Sequence, residues 1–171
     1  MGIAVVVGNP KSGSRTLRVA SAVADGLERP GAPTRRTTLD LADVAPELFD
    51  PLSVTVAGLL DEVAASDLVI VASPTYKGTY TGLLKAFFDR YGNNALAATV
   101  AVPVMTGAAP VHALAPEVFL RPLLIELGAS VPSRGLFVTE DKFEDLDEVV
   151  GDWALRARPL IDRALRGDPA I

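Results

Sequence analysis

The sequence predicts a doubly wound α/β domain on a five-stranded, mostly parallel sheet, and three observations predict it. Apolar runs alternate with amphipathic stretches along the chain. The runs are short, continuous and rich in β-branched residues, as strands buried on both faces are. The stretches between them repeat apolar residues every three or four positions, as helices do, and such alternation of strand and helix implies parallel crossover connections.

The elements follow in order. Ile3–Val7 is a β-branched run that stops at Gly8, and Arg15–Leu27 then places Leu17, Ala20, Ala24 and Leu27 on one helical face. A weaker strand is expected near Pro33–Leu39, and Leu41–Pro51 reads as the loosest segment. Val54–Ala65 is helical, with Val56, Leu59, Leu60 and Val63 on one face, and Asp67–Ser73 is a second buried strand halted by Pro74. Thr81–Tyr91 is a helix carrying Leu84, Phe87 and Phe88, and Thr99–Met105 is a third buried strand stopping at Thr106-Gly107. Pro116–Leu127 is a helix apolar on most sides, Gly135–Val138 a further weak strand, and Leu146–Leu165 a closing helix. The tail Gly167–Ile171 is expected to fray. Five strands with five helices fit the flavodoxin-like order 2-1-3-4-5 within one domain over residues 1–171, although strand order itself is not written in a sequence.

Composition narrows the function. The 171 residues are 49% hydrophobic and 22% charged, enough for one core without metal or disulfide support. There is no cysteine, which excludes disulfides, thiolate nucleophiles, iron–sulfur clusters and cysteine-bound zinc, and is compatible with the cytoplasm. The net charge of −5 and pI near 4.9 disfavour nucleic acid as a partner. The apolar run Ala95–Met105 is too short to span a bilayer, and the opening Met1–Val5 has no basic leader, so neither a membrane anchor nor a signal peptide is expected.

Ligands of open parallel sheets sit beyond the carboxyl ends of the strands, where the winding reverses. The loops after the first, third and fourth strands carry the chemistry. The first is Gly8-Asn9-Pro10-Lys11-Ser12-Gly13-Ser14-Arg15-Thr16. Helix-start amides, hydroxyls and two cations make it a phosphate cradle, or else an ordinary strand–helix turn with Ser14 as N-cap. The second runs from Ser73 through Pro74, Thr75, Tyr76, Lys77 and Gly78 to Gly82. Its Tyr76 offers a flat face for a ring system or packs over the next helix, which Thr79 or Thr81 would cap. The third, Thr106-Gly107-Ala108-Ala109-Pro110, lets a flat ligand meet bare backbone or is a plain turn into the next helix. His112 is the only histidine; with no cysteine, serine elbow or second histidine beside it, it reads as structural rather than catalytic. Together the loops hold the parts needed to bind a mononucleotide with a flat ring.

At these loops the sequence resembles the NADPH-dependent FMN reductase family, most of all the small flavin reductases of two-component sulfonate monooxygenase systems. The likeness rests on Gly8-Asn9-Pro10-Lys11 with Ser14-Arg15-Thr16, and on Ser73-Pro74-Thr75-Tyr76-Lys77 through Gly82-Leu83-Leu84-Lys85. It continues in Thr106-Gly107-Ala108 with His112-Ala113-Leu114-Ala115, and in Leu120-Arg121-Pro122-Leu123. The resemblance implies that Asn9, Lys11, Ser14, Arg15 and Thr16 hold the FMN phosphate. Pro74, Thr75, Tyr76, Lys77 and Gly78 would line the isoalloxazine and ribityl chain, and Thr106, Gly107 and Ala108 its polar edge. The chain departs from the family pattern at Asn9 for Ser, Lys11 for Arg, Ala108 for Gly, and Val118 where the sulfonate-linked branch carries a Tyr in the fourth helix. Lys11 keeps the charge but loses the bidentate fork.

The implied activity is hydride transfer from NADPH or NADH to FMN, with no general acid or base assigned and no metal. Three alternatives are an FMN-retaining reductase of quinones, azo compounds or metal ions, a flavodoxin-like electron carrier, and a binding domain without redox chemistry. The resemblance also implies a flavin-dependent monooxygenase as a partner and a homodimer or homotetramer. The Leu83–Tyr91 helix, with Phe87 and Phe88 adjacent, reads as having apolar surface to spare for that assembly.

Overall fold

The computed structural model describes residues 1–28, 31 and 33–167. Of the tail expected to fray, residues 168–171 lie outside the described residues. Five strands form one sheet: β1 (Gly2–Val7), β2 (Arg35–Asp40), β3 (Leu68–Pro74), β4 (Val100–Gly107) and β5 (Leu136–Thr139). They lie in the order β2-β1-β3-β4-β5, and every pairing is parallel, with Ile3 beside Leu68 and Leu68 beside Val100. The expected order 2-1-3-4-5 is the observed one.

Alternation along each buried strand divides the core in two. Ile3, Val5 and Val7, with Leu68, Ile70, Val102 and Val104, face α1 (Arg15–Leu27) and α5 (Leu146–Leu165). Ala4, Val6, Val69, Val71 and Met105 point the other way, toward α2 (Val54–Ala64) and α3 (Gly82–Phe88). The same layer receives Leu120 and Leu124, on and beside α4 (Arg121–Glu126). The edge strand β2 buries only Leu39 fully, which explains its weak apolar signal. Pro103 interrupts the apolar run of β4 without breaking the strand. The Ala101 N–H donates to Ser130 O at 2.7 Å on the β5 side, so by alternation the missing Pro103 N–H lies on that side too. Pairing with β5 starts only at Val104, so no ladder bond is lost there.

Three local expectations change. Leu41–Pro51 is not loose. It forms 3-10 turns over Leu41–Glu47, buries Leu41 and Leu48, and is held by Arg90, whose Nη1 donates to Leu48 O at 3.1 Å and Asp50 O at 2.9 Å. The helix expected over Pro116–Leu127 has a π-helical turn at Pro116–Leu120 before α4, and the Arg121 N–H reaches back to Pro116 O. Pro122 has no N–H for the Val118 carbonyl, so the bonding slips by one residue here. Its side chains lock the turn in place. Arg121 donates to Glu117 (Nε–Oε2 2.6 Å) and to Val131 O (2.5 Å), and the Gly135 N–H donates to Glu117 Oε1 at 2.6 Å. Burial pushes the Glu117 carboxyl up, but the bonds it accepts from Arg121 and the Gly135 N–H together outweigh that and hold its pKa below the ordinary value. Finally, Phe87 and Phe88 are both fully buried; Phe87 meets Tyr91 edge to face at 6.1 Å and Phe88 stacks on it at 6.0 Å between centroids. The chain's own core consumes the apolar surface that was expected to serve assembly.

Candidate functional site

The sheet reverses its winding between β1 and β3, since β2 lies on one side of β1 and β3 and β4 on the other. A cavity of about 390 Å³ opens beyond the carboxyl ends of these strands.

The loop after β1 supplies one wall with Asn9, Lys11, Gly13, Ser14, Arg15 and Thr16. Gly13 adopts a left-handed φ of 64°, which turns the chain into α1 at little steric cost. Asn9 organises the loop from within. Its Oδ1 accepts the Lys11 N–H at 2.9 Å and its Nδ2 donates to Thr16 Oγ1 at 3.1 Å. Thr16 Oγ1 and Thr106 Oγ1 share a buried hydrogen bond of 3.0 Å, so the first and third loops are joined at the cavity floor. Ser14 caps α1, accepting the Leu17 N–H at 3.3 Å. The amides of Ser14, Arg15 and Thr16 find no protein acceptor among the described residues, so this helix start keeps donors for an anion.

Gly8 serves packing rather than a turn. A Cβ there would stand 2.5 Å from Leu84 Cβ, because α3 starts against the end of β1. Thr81 makes that join: its Oγ1 donates to Gly8 O at 2.5 Å, accepts the Leu84 N–H at 3.1 Å and so caps α3. Gly107 is crowded more loosely: an added Cβ would stand 2.8 Å from Cζ, the tip of the Phe137 ring.

The second loop enters the cavity only in part. Pro74, Thr75 and Tyr76 line it; Lys77 and Gly78 do not. The Tyr76 N–H donates to Thr79 O at 2.8 Å and the Thr79 N–H to Tyr76 O at 3.3 Å, closing a two-residue turn with φ of 53° at Lys77 and 90° at Gly78. That reversal carries both residues off the cavity wall, and Gly78 borders a separate shallow hollow with His112, Val118 and Phe119. Tyr76 is 52% exposed, its ring a free face at the cavity. The Thr75 backbone is tied to β4 by its N–H to Thr106 O at 2.7 Å, while its buried hydroxyl has no hydrogen-bond partner among the described residues. Thr106, Gly107 and Ala108 complete the third wall.

Glu140 and Phe143 form a fourth wall, outside the three loops to which the sequence points. They follow β5, and the Arg15 guanidinium bridges to them: Nη2 lies 2.9 Å from Glu140 Oε1, and the charge sits 5.2 Å above the Phe143 ring. The signal was available in principle, since the carboxyl end of the fifth strand faces the same edge as the others.

The cavity fits a flavin mononucleotide on three counts. It has unspent helix-start amides beside cations, a half-exposed aromatic ring, and an unpartnered buried hydroxyl at Thr75 next to the small residues Gly107 and Ala108.

The sequence also matches known proteins. A family model described as NADPH-dependent FMN reductase matches residues 1–144. The protein named FMN reductase (NADPH) of Pseudomonas aeruginosa is 33% identical over 167 residues, covering 95% of this chain and 89% of that one. The NADH-dependent FMN reductase SfnF of Pseudomonas fluorescens is 33% identical over 156 residues, covering 88% and 83%. Among solved structures, the apo form of an NADH:FMN oxidoreductase (EMOB) superposes with a TM-score of 0.76 at 28% identity, covering 90% of this chain and 88% of that one.

Proposed function

The chain belongs to the NADPH-dependent FMN reductase family, and on that premise we propose that it passes hydride from a nicotinamide nucleotide to FMN seated in this cavity. The observation that carries the reading is the Thr16–Thr106 hydrogen bond under the free first-turn amides of α1, which joins the phosphate cradle and the small-residue edge in one site. When bound, FMN supplies the ring that accepts the hydride.

The protein's part is to bind, orient and shield. Asn9 and Thr16 hold the first loop in shape, and the amides of Ser14, Arg15 and Thr16, with the Ser14 hydroxyl and the Lys11 and Arg15 cations, receive the phosphate. Pro74, Thr75 and Tyr76 line the ring, with the Thr75 hydroxyl available to its polar atoms, and Thr106, Gly107 and Ala108 let it lie against backbone. Lys77 and Gly78 contribute through the turn that presents Tyr76, not as wall residues. No side chain is assigned a proton transfer.

Relatives are named for NADPH and for NADH, so both nucleotides belong in the assay. Purified protein with FMN is expected to oxidise at least one of them, followed by loss of reduced-nicotinamide absorbance. No oxidation with either nucleotide and any flavin overturns the proposal. We further infer a homodimer or homotetramer. The exposed Val111, Leu114, Val118 and Phe119, close together in the chain, support it, and light scattering on the eluted protein tests it. Supply of reduced flavin to a flavin-dependent monooxygenase is the use inferred from the sequence resemblance; coupled turnover with such an enzyme is its test.

A further inference from the structure

We infer that Glu140 is a built-in competitor of the flavin phosphate for Arg15, and that it sets how strongly the site prefers a phosphorylated flavin over an unphosphorylated one. The inference rests on the proposed flavin site. Its basis is the position of a carboxylate in the wall of a cavity otherwise equipped for an anion. Arg15 opens α1, where the helix-start amides already favour negative charge, and its guanidinium should be the strongest cation there. Yet Nη2 is engaged by Glu140 Oε1 at 2.9 Å, and both residues line the cavity.

The carboxylate is there by construction. A 3-10 turn over Glu140–Lys142 begins directly where β5 ends, and the Phe143 N–H closes on Glu140 O at 3.3 Å. Phe143, one turn on, holds its ring under the guanidinium, 5.2 Å from Cζ to the ring centre. Asp40 makes a useful contrast. It also bonds the first loop, accepting the Gly13 N–H at 3.0 Å, but it is not among the residues that line the cavity.

A phosphate entering the cradle faces two arrangements. Arg15 stays on Glu140, and the phosphate is held by amides, hydroxyls and Lys11 alone. Or Arg15 turns to the phosphate and leaves a carboxylate beside a dianion. Each weakens the grip relative to a site with a neutral residue at position 140. The side chains of Arg15 and Glu140 are 58% and 49% exposed, and a pair so open to solvent is weak enough to exchange partners. The weakening applies only to the phosphate. Riboflavin has the same ring and ribityl chain without it, and is indifferent to the pair.

Flavin titrations followed by fluorescence quenching test this with FMN and riboflavin separately. Glu140→Gln is expected to tighten FMN binding by roughly three- to tenfold, with slower FMN release, and to leave riboflavin within twofold, in keeping with a solvent-exposed pair. In an Arg15→Gln background the same change is expected to tighten FMN by a smaller factor. Unchanged or weaker FMN binding in Glu140→Gln overturns the inference and makes Glu140 a bystander or an orienting partner of Arg15. Equal tightening in both backgrounds overturns the route through Arg15. Equal tightening of FMN and riboflavin overturns the phosphate as the target. A wild-type protein that binds neither flavin overturns the functional reading itself, an outcome separate from the other three.

Discussion

The loops after β1 and after β3 have similar turn chemistry and do different things with it. Both mix glycine, proline, hydroxyls and lysine between a buried strand and a helix. In the first, one left-handed glycine at Gly13 sends the chain straight into α1, and residues on both sides of it face the cavity. In the second, two successive left-handed residues, Lys77 and Gly78, reverse the chain on itself, so only the residues before the reversal reach the cavity. The lesson is that a loop's residues share a site only as far as its backbone dihedrals keep one heading. Adjacency in sequence does not carry orientation past a two-residue turn.

The two loops are joined through Gly8 and Thr81, and this join gives the largest expected effect. Gly8→Ala forces a Cβ against Leu84 and is expected to cost about 1–3 kcal/mol of stability, measured by urea unfolding. A variant as stable as the wild type would mean that α3 can withdraw from β1 freely. Next comes the wiring of the first loop. Thr16→Val keeps the shape but leaves Asn9 Nδ2 and Thr106 Oγ1 without their partner, at a cost of about 1–2 kcal/mol and with weaker FMN binding. Retained stability with full FMN affinity would count against the joined floor.

The comparison is sharpest between the two cations. Arg15→Gln is expected to weaken FMN roughly three- to tenfold, a modest loss because Glu140 already shares the charge, whereas Lys77→Gln changes it less than twofold. Equal losses would mean that Lys77 serves the flavin as Arg15 does. The smallest effect has the opposite sign. Lys77→Gly relieves a left-handed φ of 53° and is expected to leave stability unchanged or raise it by up to about 1 kcal/mol in thermal unfolding, with FMN affinity unaffected. A clear loss of stability would show that the lysine side chain, not the turn, matters there.

Much of the molecule is legible in the chain itself. The runs ending at Gly8, Pro74 and Gly107 are buried on both faces, so they are continuously apolar and hard to mistake. The weaker β2 and β5 give a fainter signal, because each buries fewer of its residues. The residues of the first and third loops were readable because helix-start and small-residue chemistry is local. The order given to Leu41–Pro51 was not readable, because its anchor is Arg90, about forty residues on. The burial of both Phe87 and Phe88 was hidden for a related reason. A seven-residue helix between a sheet and its neighbours can bury adjacent positions that an isolated helix would divide between inside and outside.

By itself, then, the sequence determined the five strands, the helix start at α1 with its hydroxyls and cations, and the kinship that names the cofactor. Those depend on dihedral preferences, periodicity and residues a few positions apart. Only the tertiary structure decided which side chains share the cavity. It excluded Lys77 and Gly78 by the direction of one turn, and it brought Glu140 to Arg15 across 125 residues by laying β5 at the end of the sheet. Electrostatics acts through space, so the charge that opposes the phosphate is invisible until the strands have been put in order.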